Sequence, residues 1–155
     1  MRTAKEKLML DEATETRVIG ASPERCFEIA VDVENYGQWT ADLKDAEVLE
    51  RDEAGRPVLV EFRAAAMGRS TTYALRYDHS ETPSRLSWVQ ETGDITKRLD
   101  GWYRFEAVDG EPDQCEVIYH LEVELVVPLP GFVKRRAEGR IIHTALDDLQ
   151  RQAES

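Results

Sequence analysis

Seven aromatic side chains carry most of what this sequence could do chemically. Phe62, Tyr73, Tyr77, Trp88, Tyr103, Phe105 and Tyr119 fall on the inward positions of stretches with a two-residue period, the spacing that sends alternate side chains of a strand to one face. Any one of them is explained by ordinary core packing, because aromatics supply much of the apolar area of a core. As a set they say more, since four are tyrosines. A buried phenol needs a partner, so several phenols converging on a concave face suit a cavity that holds water or a polar ligand group. The small residues Ala64 and Ala66 add volume, and Gly139, which costs a helix interior ~1 kcal/mol relative to alanine, points to space or a close approach.

The other reactive side chains form no pattern with a recognised mechanism. His79, His120 and His143 show neither HExxH nor a two-His spacing, and Cys26 and Cys115 lack CxxC or Cys/His spacing. No metal site, cofactor or disulfide framework follows, and the cysteines are expected as buried thiols. No GxSxG elbow occurs. A general acid or base could be a cavity tyrosine, an arginine or a carboxylate such as Glu61 or Asp100, but parity and spacing choose none of them, and the catalytic residues stay unassigned. Lys134, Arg135, Arg136 and Arg140 cluster in the first half of a helical pattern, where the macrodipole disfavours cations. Salt bridges to an acidic sheet surface would offset that; the alternative is attraction of an acidic ligand or headgroup at a cavity mouth.

These residues are placed by a short series of elements. A first strand is expected over 15–20. Ser22-Pro23-Glu24 then offers an N-cap hydroxyl, a proline at the first helical position and an acid in the first turn, opening a helix that runs to about Val33 with a second short turn over 34–39. From Leu43 to Val127 the alternation predicts six antiparallel strands, broken by turn signals at 52–55, Met67-Gly68, Thr82-Pro83, 92–94 and Asp109-Gly110. The fifth of these is ambiguous, with Leu99, Tyr103 and Phe105 on one parity and Trp102 on the other; Tyr103 and Phe105 are placed inside. Pro128 and Pro130 end the last strand. A long helix from Gly131 to about Ala153 follows, with Val133, Ala137, Ile141, Ala145, Leu149 and Ala153 every four residues, flanked by Ile142 and Leu146. That stripe is expected to lie on the sheet.

The chain has 155 residues, 41% hydrophobic and 33% charged, which indicates one folded core under a well-solvated surface. No linker or repeat divides 14–153, which reads as one domain after an N-terminal extension, 1–13. A formal charge of -11 repels phosphate backbones and anionic lipid surfaces, so nucleic acid is not an expected partner. Leu8-Met9-Leu10 is too short for a signal-peptide core or a membrane span, so a soluble, cytoplasmic protein without stable membrane insertion is expected; the oligomeric state is open.

Four short stretches carry a family resemblance: Ala21-Ser22-Pro23-Glu24, 31–39 (VDVENYGQW), Gly101-Trp102-Tyr103-Arg104-Phe105, and 126–131 (VVPLPG). With the order of elements, they make the chain similar to the SRPBCC (START-like) superfamily, and within it to polyketide cyclase/dehydrase-like and coenzyme-Q-binding-like bacterial proteins, over about residues 14–153. Gly37 departs from the proline usual in that family but leaves Tyr36 and Trp39 in register. The resemblance implies an α+β helix-grip fold: a seven-stranded curved antiparallel sheet around a long C-terminal helix, with two short helices after the first strand. It further implies a cavity for lipid, sterol, quinone or polyketide ligands, and no one reaction. The expected function is binding or transport of such a hydrophobic small molecule. The alternatives are a cyclase or dehydratase using acid/base residues in the same cavity, and a protein-interaction or chaperone module.

Overall fold

A computed structural model describes residues 12–66 and 68–155. The alternating stretches pair into one antiparallel sheet of seven strands: β1 (Glu12–Ile19), β2 (Leu43–Arg51), β3 (Pro57–Ala66), β4 (Arg69–Asp78), β5 (Arg85–Gly93), β6 (Thr96–Val108) and β7 (Glu111–Leu125). Their spatial order is β1-β7-β6-β5-β4-β3-β2, so β2 to β7 form a meander and only β1 crosses to the far edge. The crossing is made by α1 (Pro23–Val31) and a 3-10 turn (Val33–Gln38). Ser22 caps α1 as its sequence predicts, its hydroxyl accepting from Arg25 N at 3.2 Å. The last element is α2 (Gly131–Glu154). The architecture is the α+β helix grip expected from the sequence.

β1 begins three residues earlier than expected, because Glu12 and Ala13 already pair with Glu122 and Leu121 of β7. Residues 1–11, which hold most of the expected N-terminal extension and Leu8-Met9-Leu10, lie outside the described residues, as does Met67 of the β3–β4 turn. Cys26 and Cys115 are free and buried.

Two helices share the concave face unequally. α1 covers the end where Ile19, Cys115 and Val117 emerge, and its Cys26 and Ala30 complete a dry core there. α2 docks by its C-terminal half, with Leu146 and Leu149 fully buried. Polar clamps hold that half in place: Arg17 of β1 binds Glu15 and Asp147, and Gly20 N donates to Glu154 Oε2 at 2.7 Å. The N-terminal half of α2 is held at fewer points, through buried Glu138 and Ile142, and bridges the rest of the concave face.

The expected stripe on α2 is corrected by the structure. Leu149 and Ala153 are buried, but Val133 is 37% and Ile141 44% exposed, and the buried line runs instead through Glu138, Ile142, Leu146, Leu149 and Ala153. A helix turns about 400° in four residues, so a strict four-residue ladder drifts ~40° per step and leaves the sheet within a few turns. Gly139 is exposed, with nothing within 4 Å of where a Cβ would sit, so neither close packing nor a ligand explains it.

Denaturant melts should separate these positions. Leu149→Ala is expected to cost about 2–5 kcal/mol through the cavity it leaves, Ile141→Ala about 1 kcal/mol or less, and Gly139→Ala to stabilise by about 0.5–1 kcal/mol. A loss at Ile141 as large as at Leu149 would refute this assignment of the helix faces.

Candidate functional site

Between the hollow part of the sheet and the first half of α2 lies a cavity of about 260 Å³. Its wall is built by strand alternation. Phe62 and Ala64 come from β3, Thr71, Tyr73, Leu75 and Tyr77 from β4, Trp88 from β5, Leu99 and Tyr103 from β6, and Tyr119, Leu121, Val123 and Leu125 from β7. The end wall is Tyr36, Trp39, Thr40, Asp42 and Leu43, and the roof is the α2 face that carries Lys134, Glu138, Ile141, Ala145 and Asp148.

The structure brings together six of the seven aromatic residues chosen from sequence. Phe105 is the exception: it is buried beyond the cavity, edge-on to Phe27 of α1 at 5.7 Å, where α1 fills the concave face. Cross-strand register makes the rest a continuous surface. Phe62 opposes Tyr73 with ring centroids 5.6 Å apart, Tyr77 opposes Trp88 at 5.9 Å, and Tyr103 opposes Tyr119 at 4.4 Å. Trp88 itself opposes Gly101, whose missing side chain is required: a Cβ there would lie 2.8 Å from the indole ring and 2.5 Å from His120 O. Ala64 lines the cavity; the side chain of Ala66 is outside the described part.

Tyr36 and Trp39 join this surface from the 3-10 turn and its cap, with Tyr36 5.0 Å from Trp39 and 6.2 Å from Phe62. In the sequence they stood out only through the family resemblance, since a 3-10 turn has no apolar period to read. All five tyrosines of the chain therefore line the cavity. The Tyr36 hydroxyl donates to Ala30 O, whereas those of Tyr73, Tyr77, Tyr103 and Tyr119 make no protein hydrogen bond among the described residues. Burial pushes all five phenols above the ordinary value of 10.0, so each stays neutral, able to donate and accept but unable to serve as a phenolate.

Two cavity carboxylates escaped the sequence reading. Glu138 is 1% and Asp148 5% exposed. Glu138 Oε2 accepts from Val123 N at 3.3 Å, and Asp148 accepts from Ala41 N at 3.2 Å and Arg151 at 2.6 Å, while Arg151 also donates to Trp39 O at 3.2 Å. Asp148 and Arg151 thus tie the end wall to α2. The signal was present: positions 134, 138, 141, 145 and 148 alternate steps of four and three, one helix face, but a search for apolar periodicity skips its acids. Glu61 and Asp100, the carboxylates considered from sequence, lie off the cavity on the opposite parity; Glu61 is exposed, and Asp100 Oδ1 accepts from Gln90 N at 2.8 Å.

None of the histidines reaches the cavity. His79 sits 2.6 Å from Pro57 O, His120 is stacked on Trp102 and 2.8 Å from Thr14 Oγ1, and His143 lies beside Glu15 and Asp147 on the outer side of α2. Trp102, the residue of opposite parity in β6, is thereby accounted for on the convex face, with the Arg85 guanidinium 4.8 Å over its ring. Among the described residues no three His, Cys, Asp or Glu side chains gather as a metal site would require.

The family model described as polyketide cyclase / dehydrase and lipid transport matches residues 19–150. No curated protein matches the chain. Among solved structures, a START superfamily protein from Mycobacterium smegmatis superposes with a TM-score of 0.87 at 22% identity, covering 92% of this chain and 97% of that one. The Zhui aromatase/cyclase from Streptomyces sp. R1128 gives 0.78 at 18% identity, with 92% and 93% covered. A protein from Thermus thermophilus gives 0.75 at 23%, with 92% and 96% covered. At these identities the likeness shows a shared fold.

The raised phenols set an alkaline limit. An unfolded chain ionises its tyrosines near the ordinary value of 10.0 while the folded chain does not, so their contribution is complete below that pH and is lost as pH rises above it. In an alkaline titration, phenolate absorbance is expected to appear together with loss of the circular dichroism signal. Phenolate appearing at its ordinary pH with the fold intact would mean that the rings are open to water.

Proposed function

The chain belongs to the polyketide cyclase/dehydrase and lipid transport family, and on that premise we propose that it binds or carries a hydrophobic small molecule of the lipid, quinone or polyketide-like class in the cavity under α2. The observation that supports this most is the pairing of an apolar aromatic wall with four phenol hydroxyls that have no protein partner among the described residues. A dry core of that composition would strand those hydroxyls, at a cost of about 1–3 kcal/mol each. A ligand with an apolar body and a few oxygen atoms satisfies them. At about 260 Å³ the cavity falls just below the ~300–1,000 Å³ usual for small-molecule sites, which favours a compact ring system over a long chain held entirely inside.

A second reading, an acid/base cyclase or dehydratase, is favoured by Glu138 and Asp148, two carboxylates on the roof of an aromatic cavity. Glu138, the more deeply buried of the two at 1% exposed, is the candidate acid or base.

Trp39 and Trp88 line the cavity and Trp102 does not, so fluorescence reads binding directly. Quinones or aromatic polyketides are expected to shift the emission and raise the melting temperature, and Trp39→Phe with Trp88→Phe to remove the optical response while the thermal shift remains. If no compound of a broad apolar panel changes either signal, the binding reading fails and the interaction reading takes its place. Glu138→Gln decides the second reading. It should leave affinity within about threefold for a carrier, and lower turnover of a polyketide-like test substrate by about 10²–10⁴-fold for an acid/base enzyme.

A further inference from the structure

The start of α2 and the segment before it carry exposed basic and apolar side chains side by side. The segment joining β7 to α2 and the first turn of α2 hold three large apolar side chains in water: Val126 is 47%, Val127 67% and Phe132 62% exposed. Val126 N donates to Ile95 O at 2.9 Å, which places the β5–β6 turn, with the exposed Lys97, beside that segment. One turn further on, α2 presents Arg135, Arg136 and Arg140, all exposed and in no ion pair among the described residues. The offset expected from sequence, salt bridges to an acidic sheet surface, is therefore not made by these three. Nor is the helix start compensated otherwise, since α2 has no acid in its first turn and no side-chain cap.

We propose that this end docks reversibly on an anionic lipid bilayer, with Val127 and Phe132 entering the interface and Arg135, Arg136 and Arg140 meeting lipid phosphates. Exposed apolar side chains beside unpaired guanidiniums suit a bilayer surface, where the acyl boundary adjoins the phosphates. The rest of the chain supplies orientation. With a formal charge of -11 it is repelled by an anionic surface on average, and the unpaired arginines at the start of α2 favour a pose that leads with them. Lys134, Glu138 and Ile141, which line the cavity, lie on the opposite face of α2 from these arginines, so the bilayer meets the outer side of the helix with the cavity beneath it. The docking rests on the carrier reading for its purpose but not for its physics, so the two can fail separately.

The test is vesicle flotation with the full chain. It should float with phosphatidylcholine vesicles containing phosphatidylglycerol and not with phosphatidylcholine alone, and high salt should weaken the binding by about tenfold or more. Arg135→Glu, Arg136→Glu and Arg140→Glu together should weaken it by about a hundredfold or more, and Val127→Ser with Phe132→Ser by about tenfold. Thermal melts should stay unchanged in both, and Arg104→Glu, at the other end of β6, should have no effect. The triple arginine variant should still show the tryptophan response to a quinone added in water, which keeps this outcome apart from that of the cavity. Equal flotation with neutral vesicles, or a triple arginine variant that floats like the wild type, overturns the proposal. So does binding to polyglutamate by a protein that ignores vesicles, which would assign the patch to an acidic polypeptide.

Discussion

The seating of the C-terminal half of α2 on β1 and the adjoining 3-10 region is the interaction on which the rest depends. Leu146, Leu149 and Ala153 bury against the sheet, and the charged groups next to them point back at the backbone or at the neighbouring strand: Glu154 to Gly20 N, Asp147 to Arg17, Asp148 to Ala41 N. An anchored half-helix is a rigid rod. Its other half must project over the sheet whether or not anything lies beneath, and since α1 covers only the end near Ile19 and Cys115, what lies beneath is a hollow.

The hollow is kept open by the same rings that define it. Large aromatic pairs placed directly opposite each other across β3–β4, β4–β5 and β6–β7 lean on one another, so a ring that turned inward would lose its cross-strand partner. Gly101 lets the Trp88 indole lie flat against β6. The wall is consequently preformed, as binding sites that avoid paying ordering entropy tend to be. Its sheet wall has polarity of one kind, neutral hydroxyls held unionised by burial, while charge enters from the roof on α2 and from Asp42 at the end wall.

Charge on the outside follows a different logic. A net charge is an average, and an acidic average describes the far field of this molecule, beyond a Debye length of ~8 Å at physiological salt. At contact distance the local groups decide, and on the outer face at the start of α2 these are arginines with exposed apolar side chains beside them.

The sequence by itself determined what depends on local period and local chemistry. The N-cap of α1 at Ser22, the seven strands and their inward parity, and the position of the long helix were legible because each is set within a few residues by propensity, alternation or a turn signal. Six cavity aromatics followed from parity. What only the tertiary structure decided is what depends on which elements meet. Phe105 and Tyr103 share a strand and a parity, yet one faces α1 and the other the hollow. Ile141 and Ile142 are neighbours on α2, yet one lies at the cavity mouth and the other in the core, a difference of about 100° of rotation that no ladder of fours could resolve. Glu138 and Asp148 look like surface acids until the helix is laid down and their face turns out to be the roof. The physical reason is common to all three: alternation and helical period say which side of an element a residue is on, whereas burial and partner are properties of the surface that the side is pressed against.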